Sequence, residues 1–241
     1  MDDNYEFYCL SFNNKERKES MTSRFDKLGI SCNFYEGVTV EDSRIANRKT
    51  DYGVKCCWSC AYGHLDMINN FYHNSNKEFG VFCEDDLKIH KDLKSFMPKI
   101  TKDFKELNLD VLLLGYLIHF KINEHIPRFE LKSTSYTNSI DTKYKYHNYH
   151  DEVWGGQMYM LSKKQAGVLL EKYYTDYADK TLINPNMTPF SADWTLTKDG
   201  NRAVIFPMFA TENNLKFYEH SGQRNFHKMC FDVNFDKDTF I

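Results

Sequence analysis

Over the first half of the chain, short apolar runs alternate with stretches whose apolar positions recur at helical spacing. Tyr5–Ser11 (YEFYCLS) predicts a strand. Lys15–Leu28 predicts a helix that stops at Gly29, a residue suited to the left-handed turn that ends many helices. Residues 32–35 predict a second short strand. Over 57–74, the residues Cys57, Cys60, His64, Met67, Ile68 and Phe71 share one helical face, which predicts an amphipathic helix. Residues 79–83 (FGVFC) form an apolar strand that ends abruptly in Glu84-Asp85-Asp86. Residues 92–107 predict a helix with Asp92 as N-cap. The run DVLLL at 110–114 predicts a central parallel strand buried on both faces. Strands alternating with helices imply an open, mostly parallel α/β sheet with helices on both faces.

The periodicity then weakens. From 121 to 150 the chain is polar and aromatic, compatible with a hairpin, a lid or partial disorder. Residues 157–161 predict a strand, with Ser162 as N-cap of a following helix. Residues 191–198 predict a short helix carrying Asp193 in its first turn, and Arg202–Phe206 predicts a strand. The C-terminal stretch is expected to be irregular and to wrap back over the sheet.

Composition narrows the classes. The chain has 241 residues, of which 41% are hydrophobic, enough for a sizeable core. Thirty-one basic residues face 34 acidic ones, a net charge of −3, which disfavours nucleic acid as the main partner. No apolar run is long enough for a membrane span. The acidic start (MDDNYE) lacks the basic-then-apolar pattern of a secretory signal, so a cytoplasmic protein is expected. Seven cysteines, an odd number, fit free thiols in a reducing compartment. Cys57-Trp58-Ser59-Cys60, with Cys56 and His64 nearby, invites a zinc reading. No second Cys-x-x-Cys pair exists to complete it, which favours small buried cysteines instead.

Glu84-Asp85-Asp86 is the most informative segment. In open α/β sheets, ligands bind at the carboxyl ends of strands. Three carboxylates at such an end repel one another unless a cation sits among them. Carboxylates are hard oxygen ligands suited to Mg²⁺ or Mn²⁺, ions that complete their shells with substrate phosphates. The bland alternative is a solvated acidic turn.

Several motifs in order extend this reading. Tyr5–Ser11 leads to Arg17 and a helix ending Lys27-Leu28-Gly29-Ile30. Ser59-Cys60-Ala61-Tyr62-Gly63-His64 follows, then Glu84-Asp85-Asp86 and Asp110-Val111-Leu112-Leu113-Leu114-Gly115. Next come Gly155-Gly156-Gln157-Met158-Tyr159-Met160-Leu161-Ser162 and Ser191-Ala192-Asp193-Trp194. Together these resemble glycosyltransferase family 25, the lipooligosaccharide and procollagen galactosyltransferase type. The resemblance implies a single glycosyltransferase domain over 1–241 with a GT-A-like, Rossmann-type sheet. A donor-binding half would span about 1–118 and an acceptor-side half about 119–241. It also implies a metal-dependent, inverting hexosyltransferase that uses Mn²⁺ or Mg²⁺ and a UDP-sugar. Galactose or glucose would pass to a glycan or a hydroxylated protein. Ser11-Phe12, Ser59-Cys60, Gly63 and Gly156 depart from the family's Asn-Leu, Gly-Cys, Ser and Thr. These departures motivate an alternative, a catalytically silent binding protein on the same fold. A metal-dependent phosphoesterase ranks behind both, because only one acidic cluster is present.

Each role carries its own expectation. Asp86 and Glu84 are the expected metal ligands, with Asp85 and Glu84 also facing the nucleotide. His220 is the expected late ligand and His227 its runner-up. Asp193 is the expected base, ionised and aimed outward from its helix start, with Asp151 or Glu152 as alternatives. Gly155 and Gly156 would let the backbone approach a sugar. Trp154 would stack on a sugar or pack in the core. Arg17 would meet the diphosphate, and His64 would lie near the donor pocket. The stretch KYKYHNYH at 143–150 could grip a nucleic acid, line the acceptor side of a cleft, or be an exposed loop.

Overall fold

The computed structural model describes residues 4–124, 128–132, 143–213 and 223–241. Its strands are β1 (Tyr5–Ser11), β2 (Cys32–Glu36), β3 (Phe79–Glu84), β4 (Leu87–Ile89), β5 (Val111–Leu117), β6 (Leu131–Lys132), β7 (Lys145–His147), β8 (Trp154–Ser162), β9 (Arg202–Phe206) and β10 (Ala210–Glu212). The α-helices are α1 (Lys15–Leu28), α2 (Tyr52–Asn74), α3 (Leu93–Glu106), α4 (Lys163–Tyr173), α5 (Tyr177–Ile183), α6 (Ala192–Thr195) and α7 (Arg224–Asn234).

Local chemistry sets the helix ends. The Asn14 side chain accepts the Arg17 N–H to open α1, and Gly29 closes it at φ +65°. Asp51 accepts the Val54 N–H, so α2 starts five residues before the apolar periodicity does. Ser162 caps α4 as expected. Asp92 precedes α3 but makes no cap bond; its carboxylate faces Lys143 instead.

One sheet runs in the order β2-β1-β3-β8-β5-β9-β7-β6, with β10 joining β5 to β4. β1 pairs in parallel with β2 and β3, and β5 pairs in parallel with β9 and β10. β8 runs antiparallel to both β3 and β5 and is seated between them. The sheet is therefore α/β with mixed strand senses. Alternate faces feed two apolar layers. One packs α1 and α3 through Met21, Phe25, Met97, Ile100 and Phe104. The other packs α2 and α4 through Trp58, Leu65, Phe71, Ala166 and Leu169. β5 is buried along its whole length, as its continuous apolar run requires.

The tail is more ordered than its sequence implied: it forms β10 and α7, then returns so that Ile241 exchanges backbone hydrogen bonds with Ile89. KYKYHNYH is not an exposed loop, and its tyrosines are packed into the protein rather than free to stack on a ligand. Tyr144, Tyr146 and Tyr149 are buried, and the Tyr146 hydroxyl donates to the buried Asp103 at 2.6 Å. Among the described residues, no helix is long and apolar enough to cross a membrane. All seven cysteines are free thiols.

Candidate functional site

A cleft of about 420 Å³ opens at the carboxyl end of β1 and β3. That volume falls in the range of small-molecule and cofactor sites. Glu84, Asp85 and Asp86 form one wall together with Arg17. Ser59 and Cys60 of α2 form another, and Val38, Val40 and Tyr52 the rim. Gly63 sets the depth of α2 against the sheet: a β-carbon there would lie 2.9 Å from Leu10 Cδ1.

Arg17 spans two acids. Its Nη2 lies 2.6 Å from Asp85 Oδ1 and 2.8 Å from Asp86 Oδ2. The arginine expected to meet a diphosphate thus also holds the acidic cluster. Burial, together with Glu84, Glu212 and Asp85, pushes the Asp86 carboxyl well above the usual range, and Arg17 only partly offsets this. Asp86 Oδ1 is buried and has no hydrogen-bond partner. Asn213 N–H donates to the Asp86 carbonyl at 2.6 Å, which ties the end of β10 to this turn. Glu212, just before it, is 6% exposed. Its Oε2 lies 2.6 Å from His227 Nδ1, while its Oε1 is buried and unpartnered.

Glu84 has a different environment. Burial raises its carboxyl, but His64, Arg17 and Cys60 outweigh that and hold it below the usual value. Its Oε1 lies 3.5 Å from His64 Nε2 and 3.8 Å from Cys60 Sγ. His64 is fully buried, with Nδ1 3.0 Å from the Tyr159 hydroxyl. It lies behind the cleft wall, packed against Tyr159 and Glu84.

Asp193 is turned inward rather than outward. Its Oδ1 accepts the Gly156 N–H at 2.8 Å. Burial first, and then Glu84, raise its carboxyl, while the Gly156 N–H and Lys198 pull it back. The reason is the short α6, which begins against β8 rather than at a solvent-facing loop. Gly156 is the meeting point: a β-carbon there would sit 3.2 Å from Asp193 Oδ1 and 3.6 Å from Glu84 Oε1. Gly155 instead faces the core, where a β-carbon would lie 2.6 Å from Leu113 Cδ1.

Not every candidate joins this group. Asp151 is exposed and paired with Arg202, and Glu152 is exposed and paired with Arg128. Trp154 is half-buried against the rings of Phe226 and His227. His220 lies outside the described residues. Two residues with no sequence signal do enter: Glu212, on a strand too short to show periodicity, and Lys198. Burial lowers the Lys198 amine to about 8, against the pull of Asp193.

The hard oxygen donors fit a divalent cation. Asp86 Oδ1 is buried without a partner, and Glu84, Glu212 and Asp85 all raise the Asp86 carboxyl, so positive charge is favoured there.

Among solved structures, A197 from STIV is similar at 15% identity over 83% of this chain and 80% of its own, with a TM-score of 0.38. A putative glucose-1-phosphate thymidylyltransferase from Bacillus anthracis, in complex with a sucrose, aligns at 11% identity. The match covers 95% of this chain and 78% of that one, with a TM-score of 0.36. HddC from Yersinia pseudotuberculosis, complexed with GMP-PN, aligns at 12% identity over 95% and 99%, with a TM-score of 0.37. A search of curated proteins found no match. The family model described as glycosyltransferase family 25 (LPS biosynthesis protein) matches residues 4–182, and with most of its length in that match the chain belongs to this family and is a glycosyltransferase.

Proposed function

We propose that the cleft binds a UDP-sugar with Mn²⁺ or Mg²⁺ and transfers a hexose, galactose or glucose, to a glycan or hydroxylated-protein hydroxyl with inversion. The observation that carries this reading is Asp86 Oδ1, buried and unpartnered in the acidic wall of a cleft of nucleotide-site size. Asp86 and Glu84 are the residues that would hold the ion. The chemistry such an ion supplies when bound is neutralisation of the departing diphosphate. Arg17 sits against the same acids and offers its guanidinium to the phosphates. Tyr52, largely exposed at the rim, offers a ring face to the base. Asp193 takes the proton from the acceptor hydroxyl, whose oxygen bonds to the anomeric carbon as the bond to the diphosphate breaks. Gly156 N–H fixes the aspartate, and Lys198 helps to keep it ionised.

Calorimetry with UDP, with and without Mn²⁺, tests this on the native chain and on Asp86→Asn. UDP is expected to bind about tenfold or more tightly with the ion, and the variant to lose that gain. Equal UDP affinity with and without Mn²⁺ in the native protein overturns the reading.

A further inference from the structure

Cys60 and His64 are four residues apart on α2, so both side chains project from one helix face toward the end of β3. There they meet Glu84. Cys60 Sγ lies 3.8 Å and His64 Nε2 lies 3.5 Å from Glu84 Oε1, and the three atoms all fall within 4.8 Å of one another. A tetrahedral ion with bonds of about 2.3 Å to sulfur and about 2.0–2.1 Å to nitrogen and oxygen spaces its ligands about 3.3–3.6 Å apart. Glu84 Oε1 already stands near that spacing from each of the other two donors.

The contacts among them leave the imidazole unsatisfied, although the Cys60 thiol donates to Glu84 Oε1. His64 Nε2 is fully buried and closes no hydrogen bond, and it points at an oxygen that the Cys60 thiol approaches as well. On the other side of the ring, Nδ1 is held by the Tyr159 hydroxyl at 3.0 Å, the kind of outer partner that fixes a ligating imidazole. The donors sit on a long helix and a central strand, so their positions are set by rigid elements.

We propose that Cys60, His64 and Glu84 form a site for a borderline-soft transition-metal ion of the Zn²⁺ class, separate from the hard-cation position at Asp86. A thiolate and an imidazole are donors that Mn²⁺ and Mg²⁺ do not select. On binding, the Cys60 thiol gives its proton to solvent as the sulfur–metal bond forms. Cys60 and Glu84 both line the cleft, so the ion's fourth position faces a water or a substrate oxygen. Glu84 stands next to both positions, so an ion held here draws that carboxylate from the other. The site itself rests on geometry alone and does not require the glycosyl-transfer reading.

Cobalt(II) titration of the chelator-treated full chain tests it. One equivalent is expected to bind with a thiolate-to-cobalt charge-transfer band, and Zn²⁺ to displace it. Cys60→Ser should abolish the band and weaken Zn²⁺ binding about tenfold or more, and Glu84→Gln should keep the band at reduced affinity. Cys57→Ser, at an exposed neighbour, should leave both unchanged. Asp86→Asn should also leave the band intact, which separates this site from the UDP reading. Circular dichroism confirms that each variant is folded; if Cys60→Ser is not, the lowered affinity of Glu84→Gln decides. Absence of a charge-transfer band in the native chain, its survival in folded Cys60→Ser, its loss in Cys57→Ser, or native affinity in Glu84→Gln overturns the proposal.

Discussion

The Gly156 N–H donates to Asp193 Oδ1 at 2.8 Å, so a backbone group of β8 fixes the carboxylate proposed as the base. Asp193→Asn keeps an acceptor for that N–H and removes the proton acceptor. Transfer is expected to fall by about 10²–10⁴-fold with UDP affinity nearly unchanged, measured by steady-state kinetics and calorimetry. A base must be ionised to act, and burial and Glu84 raise this one. Activity should therefore be lost on acidification at a higher pH than an ordinary aspartate dictates. An acid limb of kcat/KM in the normal aspartate range would count against Asp193.

The two neighbouring glycines should fail differently. Gly155→Ala drives a methyl group to 2.6 Å from both Leu113 Cδ atoms, in the core. Overpacking there should cost about 1–3 kcal/mol in urea unfolding. Gly156→Ala meets the far ends of Asp193 and Glu84, at 3.2 and 3.6 Å, and the Ala192 β-carbon at an ordinary 3.8 Å. It should unfold more nearly like the native chain, while transfer falls because those two carboxylates are displaced.

Arg17 bridges two acids that are 4% and 10% exposed. Arg17→Gln leaves both without that counter-charge, and the cost should be about 3 kcal/mol at neutral pH. Losing the cation raises the folded-state pKa of both acids. The destabilisation should therefore shrink as the pH falls and they protonate. Added Mn²⁺ should restore more stability to this variant than to the native chain, as read by thermal melts.

His90 gives a second pH signature. Burial lowers its pKa from 6.5 to about 4, and its ring nitrogens face the Asp92 N–H and the Tyr144 hydroxyl, each at 3.0 Å. The unfolded chain takes up a proton there before the folded one does. Its contribution is thus complete above about pH 6.5 and lost as the pH falls toward 4, amounting to about 3 kcal/mol. Urea titrations at several pH values should show a shallower acid slope in His90→Gln, and equal slopes would refute the assignment.

The sequence reveals most where one residue type answers to one local cause. β1, α1 and its Gly29 stop were legible because a short apolar run, helical spacing and a left-handed cap are local effects. The acidic cluster was legible because three carboxylates cannot follow a buried strand without consequence. The sense of β8 was not, since its residues alternate identically in either direction and only its connections decide. Glu212 and β4 escaped because three-residue strands have no periodicity to read. The inward turn of Asp193 was hidden for a similar reason: the partner that claims it is a backbone N–H, which every sequence contains.

The reversed strand also constrains how the polypeptide can be divided. β8 comes from the later part of the chain yet fills the gap between β3 and β5. A fragment cut after Ile118 would keep both neighbours and lose the filler, baring two sticky backbone edges in the middle of the sheet. Splitting this enzyme there for reassembly would yield pieces prone to clump before they could find each other.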